Sequence, residues 1–505
     1  MKRRLLYSAV LFATALRLNA WAATPCESLS GMSLTKAKVT SASVVAAGAF
    51  VPPTTGGRGG GAGNFASLPA FCRVAATLKP TSDSDIKVEL WLPQEGWNGK
   101  FEAVGNGGWA GSIPYAAIAA AMRAGYAAAG TDTGHTGNNA EFAFGHPEKV
   151  IDFAYRSIHE MTVHAKAILA EHYGSPAKFS YYNGCSQGGR QGLAEAQRYA
   201  TDFNGIIVGA SAIDQMRMHG ARTALNVLVN KSPDAVIPPT KYSMINKAVL
   251  NACDALDGVT DGVIEEPTKC KFDYATLLCK AGDSGDCLTK GQVESAKIMT
   301  SPLKDPKTGK TLFDGYLLPG SELGWATLGG PAPLGLSISG LQNIVFGDRS
   351  WDYHTIELTA DVNRAVKSDK GATATSSPDL QRFFDRGGKL LMYHGWSDPQ
   401  VTPMNSVSYY KDVVDFLGKG VAGKSIALFM VPGMNHCSGG PGTDTFDKVK
   451  VIEDWVERGM APTKIIASHQ TNGTVDKTRP LCPYPQVAKY NGSGDTNDAA
   501  NFSCK

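Results

Sequence analysis

Gly184-Cys185-Ser186-Gln187-Gly188 is the stretch on which the reading of this chain turns. It fits the pattern G-x-S-x-G, in which a serine occupies a sharp turn between a strand and a helix. The neighbouring backbone passes so close to such a turn that only residues without a side chain fit on either side of the serine. The flanks suit this reading. Residues 178–183, with Phe179-Ser180-Tyr181-Tyr182 at their centre, have the composition of a short strand, and residues 189–199 read as a helix that opens directly after it. Alone, the five residues are compatible with a plain glycine-rich turn. Strand before and helix after make them a candidate nucleophile elbow.

Working outward, residues 85–92 (Ile86-Lys87-Val88-Glu89-Leu90-Trp91-Leu92 within them) alternate as a strand. Residues 101–104 predict another strand, with Gly105-Asn106-Gly107-Gly108 straight after it, and residues 126–131 a further one, ending in Thr131-Asp132-Thr133-Gly134-His135. A helix is expected over 152–173, strands over 205–209, 388–395 and 425–431, and a helix over 448–458. Between residues 211 and 377 strand signals are rare, while cysteine, proline and glycine are frequent. Strands alternating with helices on both sides of that gap predict an α/β class chain with one doubly wound sheet. The fold expected is the α/β-hydrolase fold, its catalytic domain formed by residues 23–210 and 378–505 and interrupted by a lid domain over 211–377. A glycine-rich turn after an early strand is where that fold places one oxyanion-hole amide. Gln187 and either Asn106 or Gly107 are therefore the expected oxyanion donors.

The chain has 505 residues, 43% of them hydrophobic, enough for two large cores or for one core with a big insertion. A net charge of +3 with no basic run leaves no footprint for nucleic acid or an anionic membrane. Residues 1–22 read as a signal peptide. Lys2, Arg3 and Arg4 precede an apolar run over 5–16 that is too short to span a bilayer, and Ala20-Trp21-Ala22 gives a small-x-small cleavage site. No later run is long and apolar enough to span, so the chain is expected to be secreted or periplasmic. The low-complexity run over 56–63 lacks the Gly-Lys-Ser/Thr ending of a phosphate loop and reads as a surface loop.

The ten cysteines all follow the leader, and an even number in an exported chain predicts five disulfides. Spacing does not fix their connectivity. Joining nearest neighbours gives Cys26–Cys72, Cys253–Cys270, Cys279–Cys287 and Cys482–Cys504, and leaves Cys185 for Cys437.

A serine hydroxyl is a poor nucleophile unless a histidine takes its proton and an acid orients that histidine. In this fold the chain order is serine, acid, histidine. Asp398, in Gly395-Trp396-Ser397-Asp398-Pro399, follows one expected strand, and His436, in Met434-Asn435-His436-Cys437, follows the next. Both lie where open α/β sheets carry their active-site loops. His135, His146, His159, His164 and His172 precede the serine, and His394 precedes Asp398. His219 and His354 lie in the insertion and His469 in a polar C-terminal stretch, and all of these read as structural. Cys185 adjoins the expected nucleophile and Cys437 the expected base. If Ser186 and His436 meet, the two cysteines come within disulfide range.

Gly-Cys-Ser-x-Gly-Gly, Asp398 and His436-Cys437, with Gly105-Asn106-Gly107-Gly108, Thr131–His135, the run 434–440 and Arg479-Pro480-Leu481-Cys482-Pro483-Tyr484-Pro485, resemble the tannase/feruloyl esterase family through nearly the whole mature chain. The resemblance implies a catalytic Ser186, Asp398 and His436, a disulfide between Cys185 and Cys437, and a secreted serine esterase acting on esters of hydroxylated aromatic acids, whether small molecules or derived from plant polymers. It also implies a structural calcium ion in the lid. Asp254, Asp257 and Asp261 would hold it by side chains and Val259 and Val263 by carbonyls; without the resemblance the same aspartates read as turn residues. The alternatives are a tannase, an esterase for another aromatic monoester such as a terephthalate, or a calcium-dependent binding protein on an inactive hydrolase scaffold. Trp325, Leu334, Leu336, Phe346, Trp351 and Tyr353 of the insertion are candidates to face an aromatic acyl group, and equally candidates for lid core.

Overall fold

The strands, in chain order, are β1 (Ser33–Leu34), β2 (Ala37–Val45), β3 (Phe71–Leu78), β4 (Ile86–Pro93), β5 (Lys100–Val104), β6 (Ala127–Thr131), β7 (Phe179–Cys185) and β8 (Gly205–Gly209). A small hairpin, β9 (Leu303–Lys304) with β10 (Thr311–Phe313), lies in the insertion, and β11 (Lys389–Gly395), β12 (Ile426–Val431), β13 (Ile465–Thr471) and β14 (Thr474–Leu481) follow. The structure is a computed structural model, and it describes residues 23–53 and 65–505. The leader assigned to residues 1–22 and the run 56–63 lie outside the described residues.

Ten of these strands form one sheet in the order β1-β2-β3-β4-β6-β5-β7-β8-β11-β12. The pairs from β1 to β6 along this order are antiparallel, and those from β6 to β12 are parallel. The parallel half is buried on both faces, and its residues alternate between two separate cores. Tyr182, Ile206, Leu390 and Leu428 join one apolar cluster, while Tyr181, Ile207, Leu391 and Phe429 join the other. This is the period-two alternation of a pleated strand. The helix Ser157–Tyr173 covers the first face with Ile158, Met161, Ala165, Ile168 and Leu169, and the helix Lys448–Arg458 covers the second with Ile452 and Trp455. The architecture is an α/β-hydrolase fold.

β8 pairs directly with β11, although the chain between them runs for well over a hundred residues. That insertion adds no strand to the main sheet. It buries an apolar cluster of its own, built around Leu225, Ile245, Val249, Tyr316, Leu317 and Trp325.

Candidate active site

The elbow is formed at the C-terminal end of β7. Ser186 takes φ +63° and ψ −122°, a conformation costly for a residue with a Cβ, and the helix Gln187–Arg198 starts at the next residue. The crowding inferred from the glycines is present. A Cβ on Gly184 would lie 2.5 Å from the Gly188 carbonyl oxygen, and one on Gly105 would lie 2.7 Å from Gly188 Cα. The elbow and the loop after β5 are therefore packed backbone to backbone, and a side chain at these positions would push them apart.

Asp398 follows β11, and His436 follows β12. The Asp398 carboxylate is buried and fully engaged. Its Oδ1 accepts the N–H groups of Gln400 at 2.8 Å and Val401 at 3.0 Å, and its Oδ2 lies 2.6 Å from His436 Nδ1. Burial alone would raise its pKa. The His436 charge and the hydrogen bonds from His394 and His436 outweigh that and hold the carboxyl well below the usual carboxylate range. Ser186, Gln187 and His436 line one cavity of ≈ 30 Å³. Cys185 and Cys437 are bonded, Cα to Cα 6.1 Å, and tie the two loops together across 252 residues of sequence. The other four bridges join Cys26 to Cys72, Cys253 to Cys270, Cys279 to Cys287 and Cys482 to Cys504.

His394 has a place in the site that its position before Asp398 in sequence concealed. It is fully buried at the end of β11, with Nε2 3.1 Å from Asp398 Oδ2 and 3.1 Å from the Val401 carbonyl, and Nδ1 2.8 Å from Ser406 Oγ. An Nε2 facing two acceptors carries the proton. His394 thus braces Asp398 by donating to Oδ2, the same oxygen that His436 meets.

The glycine loop corrects one expectation. The Asn106 N–H donates to Gln191 Oε1 at 3.1 Å, and its side chain spans to the carbonyls of Thr131 at 2.8 Å and Ser112 at 3.2 Å. Asn106 braces the loop, and its amide is committed elsewhere. Gly108, two residues on, lines the cavity beside Ser186 and Gln187. The Thr131–His135 run supports the same loop: His135 Nε2 lies 2.7 Å from the Trp109 carbonyl oxygen, and burial pushes the His135 pKa down to about 4.

Of the six insertion side chains considered for the substrate, Leu336 lines the cavity. Trp325 belongs instead to the insertion's own core, where Ser321 Oγ accepts its indole N–H at 3.2 Å. Phe346 stacks on Trp351 with centroids 4.2 Å apart, in a cluster that also holds Trp109. Trp109 itself and the helix Gln215–Val229 line the cavity and were not read from sequence. Their one advance signal was position, directly after the glycine loop and after β8.

The aspartates of the insertion gather in one loop. Asp254 accepts the N–H groups of Asp261 at 3.3 Å and Gly262 at 2.9 Å, Asp257 that of Val259 at 3.0 Å, and Asp261 that of Val263 at 3.2 Å. Asp257, Asp261, Val263 and Glu265 line a void of ≈ 10 Å³ together with Lys477 and Arg479. The carboxylates of Asp257, Asp261 and Glu265 are donors of the kind a hard cation such as calcium takes, and Lys477 and Arg479 already engage Asp261 from the other side of the void.

The sequence profile of tannase and feruloyl esterase matches residues 72–505. An uncharacterized esterase of Xanthomonas campestris pv. campestris is 35% identical over 97% of this chain and 92% of its own. The mono(2-hydroxyethyl) terephthalate hydrolase of Piscinibacter sakaiensis is 34% identical over 87% of this chain and 85% of its own. The crystal structure of feruloyl esterase B from Aspergillus oryzae superposes with a TM-score of 0.88 at 31% identity, covering 95% of this chain and 99% of that one. With the elbow, the glycine loop and the cysteine-linked histidine loop assembled on one such sheet, the chain belongs to the tannase and feruloyl esterase family of carboxylic ester hydrolases.

Proposed function

We propose that this chain is an exported serine carboxylesterase that hydrolyses esters of hydroxylated aromatic acids through an acyl-enzyme. The observation that carries the reading is the buried, ionised Asp398 at 2.6 Å from His436 Nδ1, with His436 on the same cavity as the elbow serine. Asp398 keeps the ring proton on Nδ1, which leaves Nε2 free to take the Ser186 proton as Oγ attacks the ester carbonyl. The oxyanion is received by the N–H of Gln187, at the positive end of the helix Gln187–Arg198, and by an amide of the glycine loop, where Gly108 is the residue on the cavity. His436 returns the proton to the leaving alcohol. Water then repeats the sequence on the acyl-enzyme.

The acyl class is supported by relatives named for feruloyl and terephthaloyl esters. Five disulfides support export to an oxidising compartment, and among the described residues no helix is long and apolar enough to cross a membrane. Asp257, Asp261 and Glu265, with Asp254 clamping the loop and the carbonyls of Val259 and Val263 in the same turn, would hold a calcium ion that rigidifies the insertion.

Purified enzyme assayed on methyl ferulate, methyl gallate and a terephthalate monoester ranks the acyl groups, and a feruloyl or related hydroxycinnamoyl ester is expected to lead. Ser186→Ala should lose essentially all turnover with its melting temperature intact. Substantial activity remaining in that variant would place the chemistry elsewhere. A terephthalate monoester in the lead would move the chain to the second acyl class.

A further inference from the structure

The helix Gln215–Val229 turns one stripe toward the candidate active site. Gln215, Met218, His219 and Arg222 line the cavity with Ser186 and His436, at the three-, four- and seven-residue spacings of a single helical face. The proton positions on this stripe follow from its hydrogen bonds. A guanidinium can only donate, and the buried Arg222 places Nη2 2.6 Å from His219 Nδ1. Nδ1 therefore accepts, and the ring proton sits on Nε2. Burial first, and the Arg222 charge second, push the His219 pKa well below its ordinary value, so the ring is neutral. Trp109 stacks on the imidazole with centroids 5.3 Å apart, and Ser337 Oγ lies 3.2 Å from Nδ1, so the ring is held in this orientation.

His219 Nε2 and Gln215 Oε1 are both buried, and neither has a hydrogen-bond partner. A buried polar group left unpaired is costly, because it has given up water and gained no partner. Here an orphaned donor and an orphaned acceptor stand one helical turn apart on a cavity-lining face. The group that satisfies both at once is one that accepts and donates through a single atom, a hydroxyl. Three of the five Arg222 N–H groups are turned to Ser337, His219 and the Gln400 carbonyl, so the guanidinium acts on this pair through the histidine.

We propose that Gln215 and His219 form the subsite that recognises a ring hydroxyl on the acyl group, with Arg222 fixing the histidine tautomer. His219 Nε2–H donates to the hydroxyl oxygen, and the hydroxyl proton goes to Gln215 Oε1. The subsite rests on the esterase reading above and narrows it to acyl groups whose ring hydroxyl meets these two side chains.

The test is the ratio of kcat/KM for methyl 4-hydroxycinnamate to that for methyl cinnamate, which differ only in the hydroxyl. In the wild-type enzyme the ratio should be on the order of ten to a hundred, the worth of one or two hydrogen bonds that would otherwise be unmade. Gln215→Leu and His219→Phe should each bring it close to one. His219→Gln, which keeps an N–H at similar reach, should retain most of it. Arg222→Met, which lets the proton move to Nδ1, should lower it by a smaller factor. Labelling of Ser186 by a fluorophosphonate probe reports that each variant is folded, and if His219→Phe is not, Gln215→Leu decides. A wild-type ratio near one, or a ratio unmoved by Gln215→Leu, overturns the subsite and leaves the esterase reading standing. A wild-type enzyme that reacts with the probe but hydrolyses no aromatic ester overturns both.

Discussion

At the scale of single residues, the site is organised around one carboxylate. Asp398 receives two backbone N–H groups on Oδ1 and two imidazoles on Oδ2, at 2.6 Å from His436 and 3.1 Å from His394. Only His436 of the two lies on the cavity with Ser186. The two histidines should therefore fail differently. His436→Ala and Asp398→Asn should each cost several orders of magnitude in kcat, the first by removing the base and the second by favouring the wrong tautomer. His394→Ala should cost roughly ten- to a hundredfold in kcat, as loss of an outer support does elsewhere, with KM little changed. His394→Gln, which can still donate to Asp398, should recover part of that. A loss from His394→Ala as large as that from His436→Ala would exchange their roles. The order serine, acid, histidine and the placing of each after a strand were legible in the sequence. The brace from His394 was not, because it depends on how the turn after β11 curls back on the strand end. The engagement of Asn106 was hidden for a similar reason, since its partner Gln191 lies on the helix after the elbow.

At the scale of elements, the active geometry rests on two loops, the elbow after β7 and the histidine loop after β12, from strands with β8 and β11 between them in the sheet. Both hold a residue with a side chain in a left-handed conformation, Ser186 at φ +63° and Cys437 at φ +66°, so neither would keep its shape unsupported. Glycine packing supports the first, and the Cys185–Cys437 bridge supports both. Replacing both cysteines by serine should lower the melting temperature, typically by the equivalent of about 2–5 kcal/mol. It should also lower kcat, because a misplacement of about 1 Å between nucleophile and base can cost on the order of a hundredfold. The same double change at Cys279 and Cys287, which closes a loop of 8 residues in the insertion, should act on stability alone. Equal kcat losses from the two pairs would mean that the bridge at the elbow does not position the catalytic groups. The parallel strands β5 to β8, β11 and β12 could be read from their apolar runs because both faces are buried. The antiparallel edge outside β4 and the separate β13–β14 sheet could not. β2 is mostly exposed and carries lysine, serine and threonine, and β13 and β14 expose Ile466 and Val475, so the contrast between faces is weak.

At the scale of the whole molecule, the question is what keeps the insertion seated on the catalytic body. None of the five bridges crosses between residues 211–377 and the rest of the chain. The aspartate-rich loop crosses by charge and hydrogen bonding instead. Asp261 Oδ2 receives Arg479 at 2.5 Å and Lys477 at 3.1 Å from β14, and Glu265 accepts the Ala488 N–H at 2.9 Å. Burial raises the Glu265 pKa to about 8 and that of Asp257 above its ordinary value, so the ionised loop lacks part of the positive charge it could use. A calcium ion in the small void between Asp257, Asp261 and Glu265 would stabilise the folded loop by mass action, by about 2.7 kcal/mol at a hundredfold excess over its Kd. Chelation of the purified protein should therefore lower the melting temperature, and added calcium should restore it. Asp257→Ala should begin at the lower melting temperature and respond to neither treatment. Because the loop is not among the residues on the Ser186 cavity, kcat measured well below the transition should be the same with and without chelator. A melting temperature unmoved by chelation, together with no calcium in elemental analysis of the purified protein, would reduce these aspartates to turn residues and leave Lys477 and Arg479 as the positive charge on this loop.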